Sequence, residues 1–191
     1  MAKVIMEGVG AFYQHYPKVA AIVTAQAKGK DNAMTVDCHT SLSLNPPLYG
    51  IAVAPKRLTY QLITDSKEFG INFLPFEAAE LVHLVGSTGG SYIDKFQRFN
   101  IARDQPVRTK VPILKAAYAA YECQLVDDRD YGDHRLLVGE IVAVHLLKEA
   151  FTPEETLDLD KVSPVLYLGH ELYLTSPRDT VRHLEHTVYD K

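Results

Sequence analysis

The stretch Val19-Ala20-Ala21-Ile22-Val23-Thr24-Ala25-Gln26, a turn at Lys28-Gly29-Lys30-Asp31, and then Asn32-Ala33-Met34-Thr35-Val36-Asp37-Cys38-His39-Thr40 decides the fold. The first run is apolar and rich in small and β-branched residues, as strands are. The run from Asn32 to Thr40 reads as a second strand. Two strands flanking a short Gly-bearing turn predict a β-hairpin.

Working outward, Asn45-Pro46-Pro47 breaks the pattern and Leu48 to Ala54 resumes it as a buried strand. Thr59 is placed to cap a helix carrying Leu62 and Ile63. Phe69 to Leu74 reads as a short strand. Ala78, Leu81, Leu84 and Val85 stand at helical spacing, with Gly86 as the terminator. Residues 87–112 read as loop with a short helix from Asp94 to Phe99. In Tyr121 to Leu125, Tyr121, Cys123 and Leu125 alternate with Glu122 and Gln124, which predicts a strand with its polar side in water. Asp127 to Asp133 reads as a polar turn, and Leu136 to Leu147 as a long strand with a bulge at Gly139. Residues 1–18 read as a lead-in with a short helix, and Val181, Leu184 and Val188 as an amphipathic C-terminal helix. Strands in hairpin order, with few long helices between them, disfavour a doubly wound parallel sheet. They predict an antiparallel barrel with helices outside it.

The 191 residues are 47% apolar and 23% charged, with a net charge of −4. That is the balance of one globular domain large enough to bury a core without disulfides or metal. Apolar runs fall short of the ~20 residues of a membrane span, and no secretory leader is read at the start. Lys and Arg are scattered, which disfavours a duplex-binding surface. Two cysteines, Cys38 and Cys123, with no CxxC exclude a cysteine-paired zinc site. A reducing cytoplasm is the expected compartment, and no metal, membrane or nucleic acid is expected as partner.

Three stretches carry polar groups suited to a ligand. Asn32 to Thr35 offers small residues, strand N–H groups and the Thr35 hydroxyl; alone it is also an ordinary strand start. Lys56-Arg57-Leu58-Thr59 sits at a predicted helix start, where free N–H groups and the dipole attract phosphate; Arg57 adds a forked donor. Without a ligand it is a capped helix with solvated basic residues. Gly132-Asp133-His134 enters the long strand, where a histidine can donate to a ligand or relay a proton, or simply bond within its turn. His15, His39, His83, His145, His170, His183 and His186 show no metal-ligand spacing. Cys38 reads as a buried small hydrophobe or a ligand-facing thiol, and Cys123 as core. Nucleotide-loop and nucleophile-elbow patterns are absent.

The ordered set resembles the flavin reductase-like family. It comprises Pro17-x-Val19-Ala20, Gly29, Asn32-Ala33-Met34-Thr35, Ser41-Leu42-Ser43-Leu44-Asn45-Pro46-Pro47-Leu48, Arg57-x-Thr59, Phe69-x-Ile71-Asn72-x-Leu74 and Asp94-Lys95-Phe96. It continues with Glu122-Cys123, Gly132-Asp133-His134, Val138-Gly139-Glu140-Ile141-Val142 and Tyr167-Leu168-Gly169. The resemblance implies one domain over residues 1–191, with 1–16 as lead-in and 172–191 as C-terminal extension. It implies a mainly β, six-stranded antiparallel Greek-key split barrel with peripheral helices, paired as a homodimer. It further implies FMN, or FAD, as cofactor, with NADH or NADPH as donor and an electron-acceptor protein as a further partner. By position, Asn32, Ala33, Met34, Thr35, Val36, Asp37 and Cys38 would border the ring and ribityl chain. Ser43 and Asn72 would shape the pocket, and Arg57, Thr59 and Lys95 would hold the phosphate. His134 and Cys38 would sit beside the reacting ring. Relatives often have a small hydroxyl or an aromatic where this chain has Asp37-Cys38-His39, so the reaction partner is the open question. The expected activity is NAD(P)H-dependent flavin reduction; the alternatives are an FMN electron carrier of flavoredoxin type and a ferric reductase.

Overall fold

The structure, a computed structural model, describes residues 1–184. Its first half runs β1 (Lys18–Val19), β2 (Ala21–Ala27), β3 (Lys30–Val36), β4 (His39–Leu44), β5 (Pro47–Val53), α1 (Leu58–Ser66), β6 (Glu68–Phe73) and α2 (Ala79–Ser87). Then come α3 (Lys95–Arg98), β7 (Arg103–Asp104), β8 (Ile113–Leu114), β9 (Ala119–Tyr131), β10 (His134–Leu146), β11 (Leu166–Gly169) and β12 (Leu172–Leu174). Seven strands form one antiparallel sheet in the order β3-β2-β6-β9-β10-β5-β4.

The hairpin of β2 and β3 forms as expected, but its turn is tighter. Only Lys28 and Gly29 lie between the strands, both at positive φ (52° and 75°), the backbone sense that matches strand twist in a two-residue loop. The run from Asn32 to Thr40 is not one strand. It bends at Asp37 and Cys38, and β4 leaves in a new direction. This break turns the six expected strands into seven. It also joins the two edge strands, β3 and β4, through two residues. A sheet whose opposite edges are tied so closely must curl, and the result is an open barrel. Its core is built from Val23, Val36, Tyr49, Ile51, Val53, Leu62, Ile63, Phe69, Ile71, Cys123 and Leu137.

Other expectations need correction. Residues 1–17 contain no helix. Thr59 does not cap α1; Arg57 holds the cap position and Thr59 is buried within the first turn. Gly86 lies inside α2 rather than after it. Asp127 to Asp133 is not a turn: β9 continues to Tyr131, because Arg135 of β10 bonds Asp128 and Asp130 and gives the polar residues strand partners. The bulge near Gly139 is real, but the extra residue is Val126 of β9. Gly139 itself is demanded by packing: a Cβ there would meet the Phe69 ring at 2.5 Å. Residues 181–184 are not helical, and the rest of the expected C-terminal helix, with His186 and Val188, lies outside the described residues.

The largest departure is Glu122. Alternation put it in water, yet it is fully buried. Residues 107–109 fold over it, and its carboxylate accepts from the N–H groups of Val107, Arg108 and Thr109, the Thr109 hydroxyl and His145 Nε2, all at 2.7–2.9 Å. Burial alone would raise its pKa; the bonds from Val107, His145, Arg108 and Thr109 outweigh that and hold it down to about 2. A carboxyl depressed from 4.5 to about 2 stabilises the fold above the higher value, and that contribution is lost as pH falls through the lower one. At about 1.4 kcal/mol per pKa unit it is worth about 3 kcal/mol. Glu122→Gln should therefore cost roughly 2–4 kcal/mol at pH 7. Urea unfolding at pH 7 and pH 3 should show the wild type losing more stability between the two than the variant does.

Candidate functional site

β3 is an edge strand, and its outer edge is where the site forms. Lys95 Nζ donates to the carbonyl of Ala33 at 2.8 Å and to that of Val85 at 2.7 Å. The Ala33 carbonyl therefore points away from β2. In an antiparallel ladder alternate residues turn both backbone groups the same way, so Thr35 also presents its N–H and C=O outward. Asn32 and Met34 project to one face of β3, Thr35 and Asp37 to the other.

Each face opens into a cleft. The first, of about 270 Å³, is bordered by Asn32, Met34, Lys56 to Thr59, Lys95 and the loop from Thr88 to Tyr92. The second, of about 300 Å³, is bordered by Thr35, Asp37, Tyr13, His83, Tyr167, Glu171 and Tyr173. Gly86 borders both, so the two adjoin at the strand edge, one on each side of the point where α2 crosses it. Thr35 fixes that crossing by donating its hydroxyl to the Val82 carbonyl at 2.5 Å.

The two ends carry opposite charge. The first has Lys56, Arg57, Lys95 and the start of α1, and among the described residues that border it no carboxylate. Asn32 Nδ2 donates to Thr59 Oγ1 at 2.8 Å, which leaves the Thr59 hydroxyl hydrogen available. Lys95 is almost wholly buried, and burial first, then the Arg57 charge, lowers its pKa to about 8. Its two carbonyl bonds use two of three donors. The second end has two carboxylates, Asp37 and Glu171, and among its bordering residues no Lys or Arg.

The expected residues divide accordingly. Asn32, Met34, Arg57, Thr59 and Lys95 come together at the cationic end, Thr35 and Asp37 at the other. Ala33 is buried and serves through its carbonyl; Val36 points into the barrel core. Cys38 is exposed rather than buried, because it lies in the bend between β3 and β4. Desolvation by its surroundings, then the Asp37 charge, push its thiol pKa up, so it is protonated at neutral pH. Ser43 and Asn72 border neither cleft. Asn72 is a brace: it donates to the Ile22 carbonyl at 3.0 Å and accepts from Leu114 N–H at 2.8 Å. His134 stands at the Gly132-Asp133 turn with Nδ1 on Asp133 Oδ1 at 2.8 Å, outside both clefts. His39 is a structural tie between Val19 and Tyr49; burial lowers its pKa, so Nε2–H donates to the Val19 carbonyl and Nδ1 accepts from the Tyr49 hydroxyl.

Sequence reasoning missed the loop Thr88-Gly89-Gly90-Ser91 and the wall of Tyr13, His83, Tyr167 and Tyr173. The loop had a signal, two glycines between hydroxyl residues. The wall had none, since its members are spread over 160 positions.

Residues 13–174 match the model of the flavin reductase like domain, and the chain belongs to that family. An uncharacterised protein of Pyrococcus abyssi is 36% identical over 136 residues, 71% of this chain and 78% of that protein. The reductase component of a 4-nitrophenol 4-monooxygenase/4-nitrocatechol 2-monooxygenase from Rhodococcus opacus is 32% identical over 128 residues, 67% of this chain and 65% of that protein. The crystal structure of an FMN-binding protein from Thermus thermophilus, with bound 1-cyclohex-2-enone, superimposes with a TM-score of 0.83. It is 34% identical, over 96% of this chain and 98% of that one. The same protein has been solved with p-hydroxybenzaldehyde. The fold is thus a split barrel of flavin reductase type, and family membership makes a flavin the cofactor class and oxidoreduction the reaction class.

Lys95 gives this assignment a pH signature. A phosphate held beside it favours its protonated form, so a phosphate-bearing flavin should bind with constant affinity well below pH 8. Above about 8 it should weaken, toward tenfold per pH unit, as the empty site loses that proton. Fluorescence titration with FMN between pH 6.5 and 9.5 checks this, and Lys95→Met should flatten the upper limb.

Proposed function

We propose that this protein binds FMN along the edge of β3 and reduces it with NADH or NADPH, for transfer of the electrons to a further acceptor. The observation that carries this reading is the polarity of the groove. One end offers cationic and hydroxyl donors suited to a phosphate dianion; the other offers aromatic side chains, outward strand N–H and C=O groups and no cation, suited to an uncharged ring. FMN has this layout, with a phosphate at one end of a polar chain and a flat uncharged ring at the other.

The residues fit it by their chemistry. Arg57 and Lys56 supply charge at the start of α1, where free N–H groups favour an anion. Thr59 supplies a hydroxyl that Asn32 orients, and Lys95 a buried third donor. Gly90 lets the loop close on Asn32, since a Cβ there would lie 2.1 Å from its amide oxygen. Thr35 offers backbone N–H and C=O to the polar edge of a ring. Bound flavin supplies hydride transfer; the protein's part is to hold the phosphate, orient the ring and set its electrostatics. Asp37, negative at the ring end, disfavours an anionic reduced ring.

The same reading includes a homodimer. Leu42 and Leu44 of β4 and Val144 and Leu146 of β10 are exposed, and an apolar hollow runs beside them between Pro47, Tyr121, Ile141 and Phe151. Exposed apolar surface of this extent favours covering by another molecule. A second copy would cover it on both partners at once. Among the described residues no helix is long and apolar enough to cross a membrane.

Purified protein given FMN should show the visible bands of a bound flavin after gel filtration and oxidise NADH or NADPH faster than free FMN does. Protein that neither retains FMN nor raises the rate would overturn the reading. Arg57→Ala should weaken FMN by ~1.5–3 kcal/mol, the loss of a charged donor to phosphate. Unchanged affinity would remove the phosphate from this end of the groove. Light scattering should give twice the chain mass.

A further inference from the structure

Asn32 and Lys95, two buried polar residues of the cleft beside Arg57, stand on different elements, the edge strand β3 and the short helix α3. On the cleft side Lys95 joins the two elements through its bond to the Ala33 carbonyl at 2.8 Å. Asp31 projects from the opposite face of β3 to Asn32, and there Arg103 joins them a second time. Its guanidinium donates to the Asp31 carboxylate and lies over the Phe96 ring, 4.9 Å from the centroid. Asp31 and Phe96 are the chain neighbours of Asn32 and Lys95. Phe96 is packed in turn against Ala33, Val82 and Val85.

Arg103 is itself anchored to the barrel. It stands on β7 opposite Leu114 of β8, and Leu114 N–H donates to the buried Asn72 at 2.8 Å. Stability does not account for the Arg103–Asp31 pair. The two side chains are 46% and 22% exposed, and so open a pair contributes little to folding. Burial raises the Asp31 pKa by more than the Arg103 charge and bond lower it, and the Asp94 charge adds to the rise. The ionised carboxylate is thus less favourable here than in the unfolded chain.

We propose that Arg103 is a positioning residue for a phosphate-bearing ligand: by clamping Asp31 to Phe96 it fixes the spacing of Asn32 and Lys95 across the cleft beside Arg57. The inference rests on the flavin reading for the identity of that ligand. Arg103 borders the hollow between Asp31 and Asp94 and not the cleft itself, so it acts through its neighbours. Hydrogen bonds weaken steeply as their geometry is lost. Loosening the clamp should therefore weaken the hold on a phosphate and leave the hold on a flavin ring alone.

The test compares FMN with riboflavin, which has the same ring and ribityl chain and no phosphate, by fluorescence titration at pH 7. Arg103→Met should weaken FMN roughly three- to tenfold, as coupled neighbours do, with riboflavin little changed. Arg103→Lys, which keeps a charge against Asp31, should recover part of the loss. Asp31→Asn separates the clamp from charge at a distance. Removing a carboxylate near the cleft would by charge alone tighten a phosphate dianion; the clamp predicts that it weakens FMN. The double variant should bind FMN no more weakly than the weaker single one, because both changes release the same tie. Lys28→Ala, which breaks the exposed pair of Lys28 with Asp65 on the neighbouring turn, should change nothing. Unchanged FMN affinity in Arg103→Met, an equal loss for riboflavin, tighter FMN in Asp31→Asn, or additive losses would each overturn the proposal. Hydrogen exchange on the flavin-free protein reads the clamp without any ligand: Arg103→Met and Asp31→Asn should each speed exchange across residues 93–101 and leave β9 and β10 as they are. Unchanged exchange there would also overturn it, whereas a wild type that binds neither flavin would count against the flavin reading.

Discussion

The two-residue bend at Asp37 and Cys38 is the constraint on which the rest depends. It ties one edge of a seven-stranded sheet to the other, and Cys38 anchors the tie by accepting from Ala52 N–H at 2.8 Å. His39 pins it on the far side, between β1 and β5. With the edges held together, the sheet curls around its apolar face. β3 is left with an outer edge that no strand among the described residues covers. An exposed edge invites pairing with another chain. Here α2 and α3 cover part of it, and Lys95 takes up an outward carbonyl. What remains open is the groove.

This arrangement makes site and fold inseparable. Lys95 is at once a core residue and the buried cation of the cleft beside Arg57. Asn32 is buried beneath the loop 88–92 and orients Thr59. Asp37 lies in the bend itself, so its place in the cleft beside Tyr13 and Tyr167 comes with the geometry that closes the barrel.

Much of the fold was legible because it is local. The β2–β3 hairpin, α2 and the long β9–β10 ribbon each lie in one stretch of chain, with the period or the turn residue that encodes it. The bend at Asp37 and Cys38 was not legible, since the residues from Asn32 to Thr40 keep strand propensity throughout and only the closing of the barrel divides them. Glu122 was misread for a related reason: alternation tells which residues share a face, not whether a loop from residues 107–109 will cover it. At the site, Arg57, Thr59, Asn32 and Lys95 stood in recognisable motifs. The tyrosine wall did not, because Tyr13 and Tyr167 meet only when the two ends of the chain pack together.

If FMN lies along the free edge of β3, its phosphate and its ring occupy the two polarised ends of that edge. A crystal structure of the protein grown with FMN tests it most directly. The phosphate should lie within hydrogen-bonding distance of Arg57, Thr59 and Lys95, and the ring beside Thr35 and Asp37, next to Tyr13 and Tyr167. FMN found elsewhere, for example in the open hollow between Asp31, Asp94 and Arg103, or with its ring at the Arg57 end, would contradict it.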